Sequence, residues 1–416
     1  MPADRSLAQE SANRGRSPKF LAASLAAALT LLALGIAFWS TSGENPALLR
    51  QRANMAAQQG RWEEAEAMLG RLSDPTANDW LLRALVATSL NRPESAIEYL
   101  AKIPPDGPWA ARVALLTSRA ELGRFRARPM EDALHLALRL DPKIAEARRS
   151  LLYLYGVQGR RREMLEQFAA LAAQGPLDFN LVKNWCIAHQ EQVEEPADLK
   201  APLEHFVEND PDDRWSRLGL ARVYRRLGLF DRAMECLAPL PDSDPEARAG
   251  RAEIEFDRGN QEAVTSLLDG GPADHAKLAL LRGQAALNRL DGPAAVQFFR
   301  ISDAAEPNHS ETLYGLAQAL RIVGDRDAAE PYARRAAAQR SLRDQLYKLK
   351  DKDTDKAVFY CQLAAECESA GYLPVARAWY RLAIADDPLR VQAQEALARL
   401  SSAPLKTDAS NLSGTN

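Results

Sequence analysis

The chain has 416 residues, 46% hydrophobic and 26% charged, a globular balance that argues against wholesale disorder. Its 53 basic and 56 acidic residues leave a net charge of −3, so no global field draws it onto polyphosphate and a dedicated nucleic-acid binder is disfavoured. Four cysteines are too few and too scattered for a disulfide scaffold or a zinc ribbon, which leaves packing to hold the fold.

Residues 1–19 form a basic tail containing Arg5, Arg14, Arg16 and Lys19. Residues 20–39 read FLAASLAAALTLLALGIAFW without a charge. As a helix rising ~1.5 Å per residue, this stretch spans a bilayer core of ~30 Å. The basic excess before it predicts a cytoplasmic N-terminus and a single-pass anchor in a bacterial-type cytoplasmic membrane, with the bulk of the chain periplasmic or otherwise extracytoplasmic. A cleaved signal peptide, with Ser40, Ser42 and Gly43 as small residues for cleavage, and a buried core helix are the alternatives for this segment. Residues 40–45 read as a linker.

From residue 46 onward the chain repeats itself. Pro142, Pro176, Pro211 and Pro245 lie 34, 35 and 34 residues apart, and Pro272 to Pro307 is another 35. Proline lacks the amide hydrogen a helix needs, so constant proline spacing means helices stopped at constant spacing. A second punctuation mark sits within each unit and is followed five residues later by alanine: Gly60 and Ala65, Asn91 and Ala96, Gly228 and Ala233, Gly324 and Ala329, Gly371 and Ala376. Each unit is therefore expected to be a helix, a turn and a helix, with alanine permitting close approach and glycine supplying a positive φ.

The iterated pattern resembles the tetratricopeptide repeat family. It is carried by Tyr360, Leu363, Ala364, Gly371, Ala376, Tyr380, Ala383 and Pro388, and by Leu313, Leu316, Ala317, Leu320, Gly324, Ala329, Ala333 and Ala336. Gly283, Ala286, Ala295, Phe299 and Pro307 make a third match, and Leu152, Tyr155, Gly159, Phe168, Leu171 and Pro176 a fourth. Trp80, Ala84, Ala87, Ala96 and Leu100 give a shorter early unit. The resemblance covers residues 46–400 and implies an all-α, right-handed α-solenoid of about nine to ten helix-turn-helix repeats, each packed on its neighbours, preceded by the one transmembrane helix. Residues 179–210 keep the unit length but lose its glycine and alanines, with Glu194 and Leu199 in their places. An excess near 340–356 is either an extended helix or an exposed insertion, and 401–416 is a polar tail expected to be disordered.

Chemistry is sparse. No GxxxxGK[ST], GxGxxG, HExxH or GxSxG occurs, and His135, His189, His205, His275 and His309 are widely spaced. Cys361 and Cys367, six apart on one helix, are too distant along it to bond to each other. Glu63/Glu64 and Glu194/Glu195 read as solvated helix starts, and the glycosylation sequons at Asn308 and Asn411 are weak signals. No cofactor, metal, nucleic acid or small-molecule substrate is expected.

The resemblance also implies a concave channel lined by the first helix of each unit. Its groove-facing positions fall on Arg149 and Tyr153, Arg222 and Arg225, Gln284, and Tyr314, Gln318 and Arg321, a mixture suited to carboxylates and peptide backbone. The family's carboxylate-clamp set is not reproduced. The expected function is a non-catalytic, membrane-anchored scaffold for protein or peptide partners. The alternatives are an assembly factor or chaperone for exported or cytochrome proteins and a cytoplasmic adaptor, with an enzyme the least favoured reading.

Overall fold

The computed structural model describes residues 45–190, 196–347 and 356–402. The apolar segment at 20–39, its flanking tail, the expected linker up to residue 44, Glu194, Glu195, residues 348–355 of the expected insertion and residues 403–416 lie outside them. Among the described residues there are 21 helices and no strand, and no helix is long and apolar enough to cross a membrane. The chain divides into two compact units, up to Leu90 and from Asn91.

The first unit contains α1 (Pro46–Gln58), α2 (Trp62–Gly70) and α3 (Ala77–Ser89). Asn45 caps α1 by accepting from the Ala47 amide, and Pro46 takes the first turn, where its missing N–H costs nothing. Gly60 turns the chain at φ +72°, which lets Ala53, Ala56 and Ala65 meet in a core closed by Leu49, Leu69 and Val86. Arg50 pairs with Asp79 at 2.9 Å, and Asp79 also closes a capping box with Thr76 at the start of α3.

The second unit begins with α4 (Pro93–Leu100), α5 (Ala110–Gly123) and α6 (Ala127–Leu140), followed by α7 (Ala145–Gln158), α8 (Arg161–Gln174), α9 (Phe179–Ala188) and α10 (Pro196–Asn209). It continues through α11 (Arg214–Arg226), α12 (Phe230–Leu237), α13 (Pro245–Asp257), α14 (Gln261–Asp269), α15 (Ala276–Asn288) and α16 (Gly292–Ala305). It ends with α17 (Ser310–Ile322), α18 (Arg326–Tyr347), α19 (Lys356–Ser369), α20 (Leu373–Asp386) and α21 (Val391–Ser402). Hairpins form between α5 and α6, α7 and α8, α11 and α12, and then pairwise through α19 and α20. Gly228, Gly324 and Gly371 turn at φ +73°, +86° and +85°, while Phe125 adopts φ +52° in the connection between α5 and α6.

An arginine device recurs in both units. Arg83, Arg251 and Arg282 each donate to a carbonyl fourteen residues back, on Leu69, Leu237 and Leu268, near the C-terminal end of a preceding helix. Each of those carbonyls also accepts from the amide three residues on, so the guanidinium adds a second, charge-assisted donor at the negative end of the helix dipole.

The expected stack of neighbours breaks at α9. This helix packs on α8, α18 and α20, whereas α10 packs on α7 and α11. Phe179 meets the rings of Tyr360 and Trp379 at centroid distances of 5.9 and 5.7 Å. His189 stacks on Tyr372 at 4.2 Å, and the Cys186 and Cys367 sulfurs lie 3.6 Å apart. Burial and the nearby Arg161 charge keep the His189 imidazole neutral. Arg161 itself pairs with Glu306. One hydrophobic cluster consequently runs from Ala114 to Ile254 and resumes from Leu342 to Leu400. The second unit is thus closed on itself through α9. Residues 179–210 lack the glycine and alanines of other repeats because their two helices have other partners, so close approach within that pair is not required.

Candidate functional site

Closure creates a cup of about 810 Å³ in the second unit. One wall is α17, where Glu311, Tyr314, Gln318 and Arg321 recur at helical spacing and so present one face. Gln284 of α15 stands beside it and donates to Glu311 at 3.3 Å. Opposite are Gln339, Arg340 and Arg343 of α18, with Gln190 reaching in from beyond α9 to donate to the Gln339 carbonyl at 3.4 Å. Phe256, Leu287 and Ile322 give the lining its apolar share.

The wall owes its shape to Phe299 on α16. Its ring is fully buried and fills space left by Gly283 of α15 and Gly315 of α17. A Cβ at Gly283 would lie 2.7 Å from the ring, and one at Gly315 closer still. The two glycines therefore allow three consecutive helices to share one aromatic plug directly behind the cup.

The charges in the cup are poorly compensated. Among the described residues Arg321 and Arg343 have no ion-pair partner, and Arg340 has only the face of Tyr314, 5.9 Å from the ring centroid. Tyr314 is half exposed. Gln339 is 3% exposed, and its Nε2 donates to the carbonyls of Asn308 at 3.1 Å and Ala370 at 3.4 Å. Its Oε1 has no hydrogen-bond partner.

Of the eight groove residues expected from the sequence, Gln284, Tyr314, Gln318 and Arg321 line the cup. The other four stand elsewhere. Arg222 donates to the carbonyls of Gln158 and Gly159, at 3.4 and 3.2 Å, and so caps α7. Arg225 lies between Glu253 at 3.6 Å and Asp257 at 3.4 Å. Both border a cleft of about 20 Å³, room for one water. Arg149 and Tyr153 lie on exposed positions of α7 and do not line the cup. Sequence reasoning missed Gln190, Phe256, Gln339, Arg340 and Arg343. Arg340 opens the charged excess at 340–356, which was the one available signal, since α18 continues through it to Tyr347.

No group of three or more His, Cys, Asp or Glu is placed to hold a metal among the described residues. His275 and His309 instead cap α15 and α17 by accepting from the amides of Leu278 and Thr312. All four cysteines are free and buried, and burial pushes the Cys236 thiol up to about 11, far from a reactive thiolate.

Residues 203–254 match the sequence model of the tetratricopeptide repeat. That segment runs from α10 through α11 and α12 into α13. No curated protein matches the chain. In structure the chain is similar to a tetratricopeptide repeat protein from Parabacteroides merdae at 16% identity and TM-score 0.31, over 59% of this chain and 98% of that one. It is also similar to human IFIT1, crystallised as a dimer with PPP-AAAA, at 13% identity and TM-score 0.34, over 86% of this chain and 87% of that one. Yeast Tom70 gives 13% identity and TM-score 0.28, over 86% and 88%. At scores below 0.5, nothing these proteins bind transfers to this chain.

Proposed function

We propose that the chain is a membrane-tethered member of the tetratricopeptide repeat family that holds protein or peptide partners in the cup and performs no chemistry on them. The observation that carries this reading is the cup, where four groove residues meet amide and guanidinium groups from the closing helix. Glutamine amides can donate to and accept from a peptide main chain, tyrosine offers flat contact area, and arginine offers forked donors. The tether rests on the apolar sequence at 20–39, with the repeats on the far side of the cytoplasmic membrane. Confinement to a membrane raises the effective concentration of a partner held there, so micromolar affinity, about −8 kcal/mol, suffices.

A photo-crosslinking residue placed at Gln318 in cells should trap a partner, whereas the same residue at exposed Glu262 on α14 should trap much less. Equal yields from the two positions would remove the cup from the proposal. Reporter fusions at the two chain ends test the tether, since reporters active on the same side of the membrane would contradict a single-pass anchor.

A further inference from the structure

We infer that the occupant of the cup is a peptide segment rich in carboxylates, gripped by Arg321, Arg340 and Arg343; this deepens the protein-binding reading of the same site and rests on it. Several arginines that border grooves or helix ends in the second unit are engaged, Arg222, Arg251 and Arg282 by carbonyls and Arg225 by carboxylates. The three arginines of the cup have neither. Against them the lining supplies one carboxylate, Glu311, which is already engaged by Gln284. The cavity therefore carries a cationic surplus of two, three guanidiniums less one carboxylate, which incoming anions would neutralise through charge-assisted hydrogen bonds.

The amides of the lining decide between kinds of anion. Gln318 stands beside Arg321 on the cup wall and Gln284 on the neighbouring helix, and a glutamine amide both donates to and accepts from a main chain. A ligand presenting carboxylates and an N–H together is a peptide. Polynucleotide is disfavoured by the net charge of −3 and by a wall with a single exposed aromatic ring, Tyr314, where strand binding uses successive rings. Arg340 and Arg343 stand on the second helix of their hairpin, so this grip belongs to the closure and not to the inner helices alone.

The probe is a displayed library of random short peptides selected on the purified full-length protein. Selected peptides should be enriched in Glu and Asp. The variants Arg340→Gln and Arg343→Gln should each weaken binding of those peptides roughly ten-fold, with a further loss as salt is raised. Thermal melting of both variants should stay close to the parent, because neither side chain has an ion-pair partner among the described residues and Arg340 meets only the half-exposed ring of Tyr314. Selected peptides without acidic enrichment, or acidic peptides indifferent to both variants, would overturn the inference and leave the protein-binding reading standing. Failure to select any peptide would overturn both, and tighter binding of a short single-stranded RNA than of every selected peptide would give the cup to a nucleic acid.

Discussion

Glu131 shows how single side chains bind helices of the second unit together. Burial disfavours its charge, but hydrogen bonds from His135, Arg160 and Tyr155 outweigh that and lower the carboxyl from 4.5 to about 2. Tyr155 donates to it at 3.0 Å and Arg160 at 2.7 Å, joining α6, α7 and the start of α8, and Arg160 also lies 4.7 Å from the centre of the Trp215 ring on α11. A carboxyl whose folded value is depressed contributes stability that is present above its ordinary range and lost as pH falls through the folded value. The shift corresponds to about 3 kcal/mol. Urea unfolding of the parent and of Glu131→Gln should therefore differ by most of that amount near neutrality, and the gap should close between about pH 5 and about pH 2. A gap independent of pH would mean that the network gains nothing from ionisation.

At the scale of elements, α15, α16 and α17 are held in register by one ring between two glycines. Gly315→Ala pushes a methyl group into Phe299, and such overpacking costs about 1–3 kcal/mol. The loss should appear as a lower unfolding midpoint, and it should shrink when Gly315→Ala is made in a Phe299→Leu background. Additive losses would place the strain elsewhere. Elements of this kind were legible in the sequence for a physical reason: a tight connection demands a positive φ at a fixed place, and Gly60, Asn91, Gly228, Gly324 and Gly371 all have it. Alanine five residues later was legible because helices in close contact exclude larger side chains. The inner face of α17 came from the groove positions that the family resemblance implies, which include Tyr314, Gln318 and Arg321. Arg340 and Arg343 were not legible, because a charged stretch that exceeds the period has the same composition whether it extends a helix or leaves the fold. Arg222 and Arg225 show the opposite limit, since periodicity places a side chain on a face without saying which carbonyl or carboxylate already holds it.

At the scale of the molecule, the second unit differs from a stack whose members feel only their neighbours. In such a stack a lesion stays local. Here Trp379, fully buried on α20, touches Phe179 on α9, two hundred positions earlier in the chain. Trp379→Ala should cost about 3–5 kcal/mol and, by hydrogen exchange, loosen α9 as well as α19 to α21 while sparing α12 to α14. Exchange confined to the last three helices would mean that the joint adds no coupling. The aromatic partners of this joint carry no period, which is why the sequence announced repeats and not where the array returns on itself.

The joint also bears on how such a chain can change length over time. Open repeat arrays gain and lose whole modules with little penalty, since every cut surface resembles every other. Between α9 and α18 that freedom is absent: one hairpin more or fewer would swing Tyr372 away from His189 and Cys367 away from Cys186, so the number of modules in this stretch is set by geometry in the way the number of strands is set in a barrel.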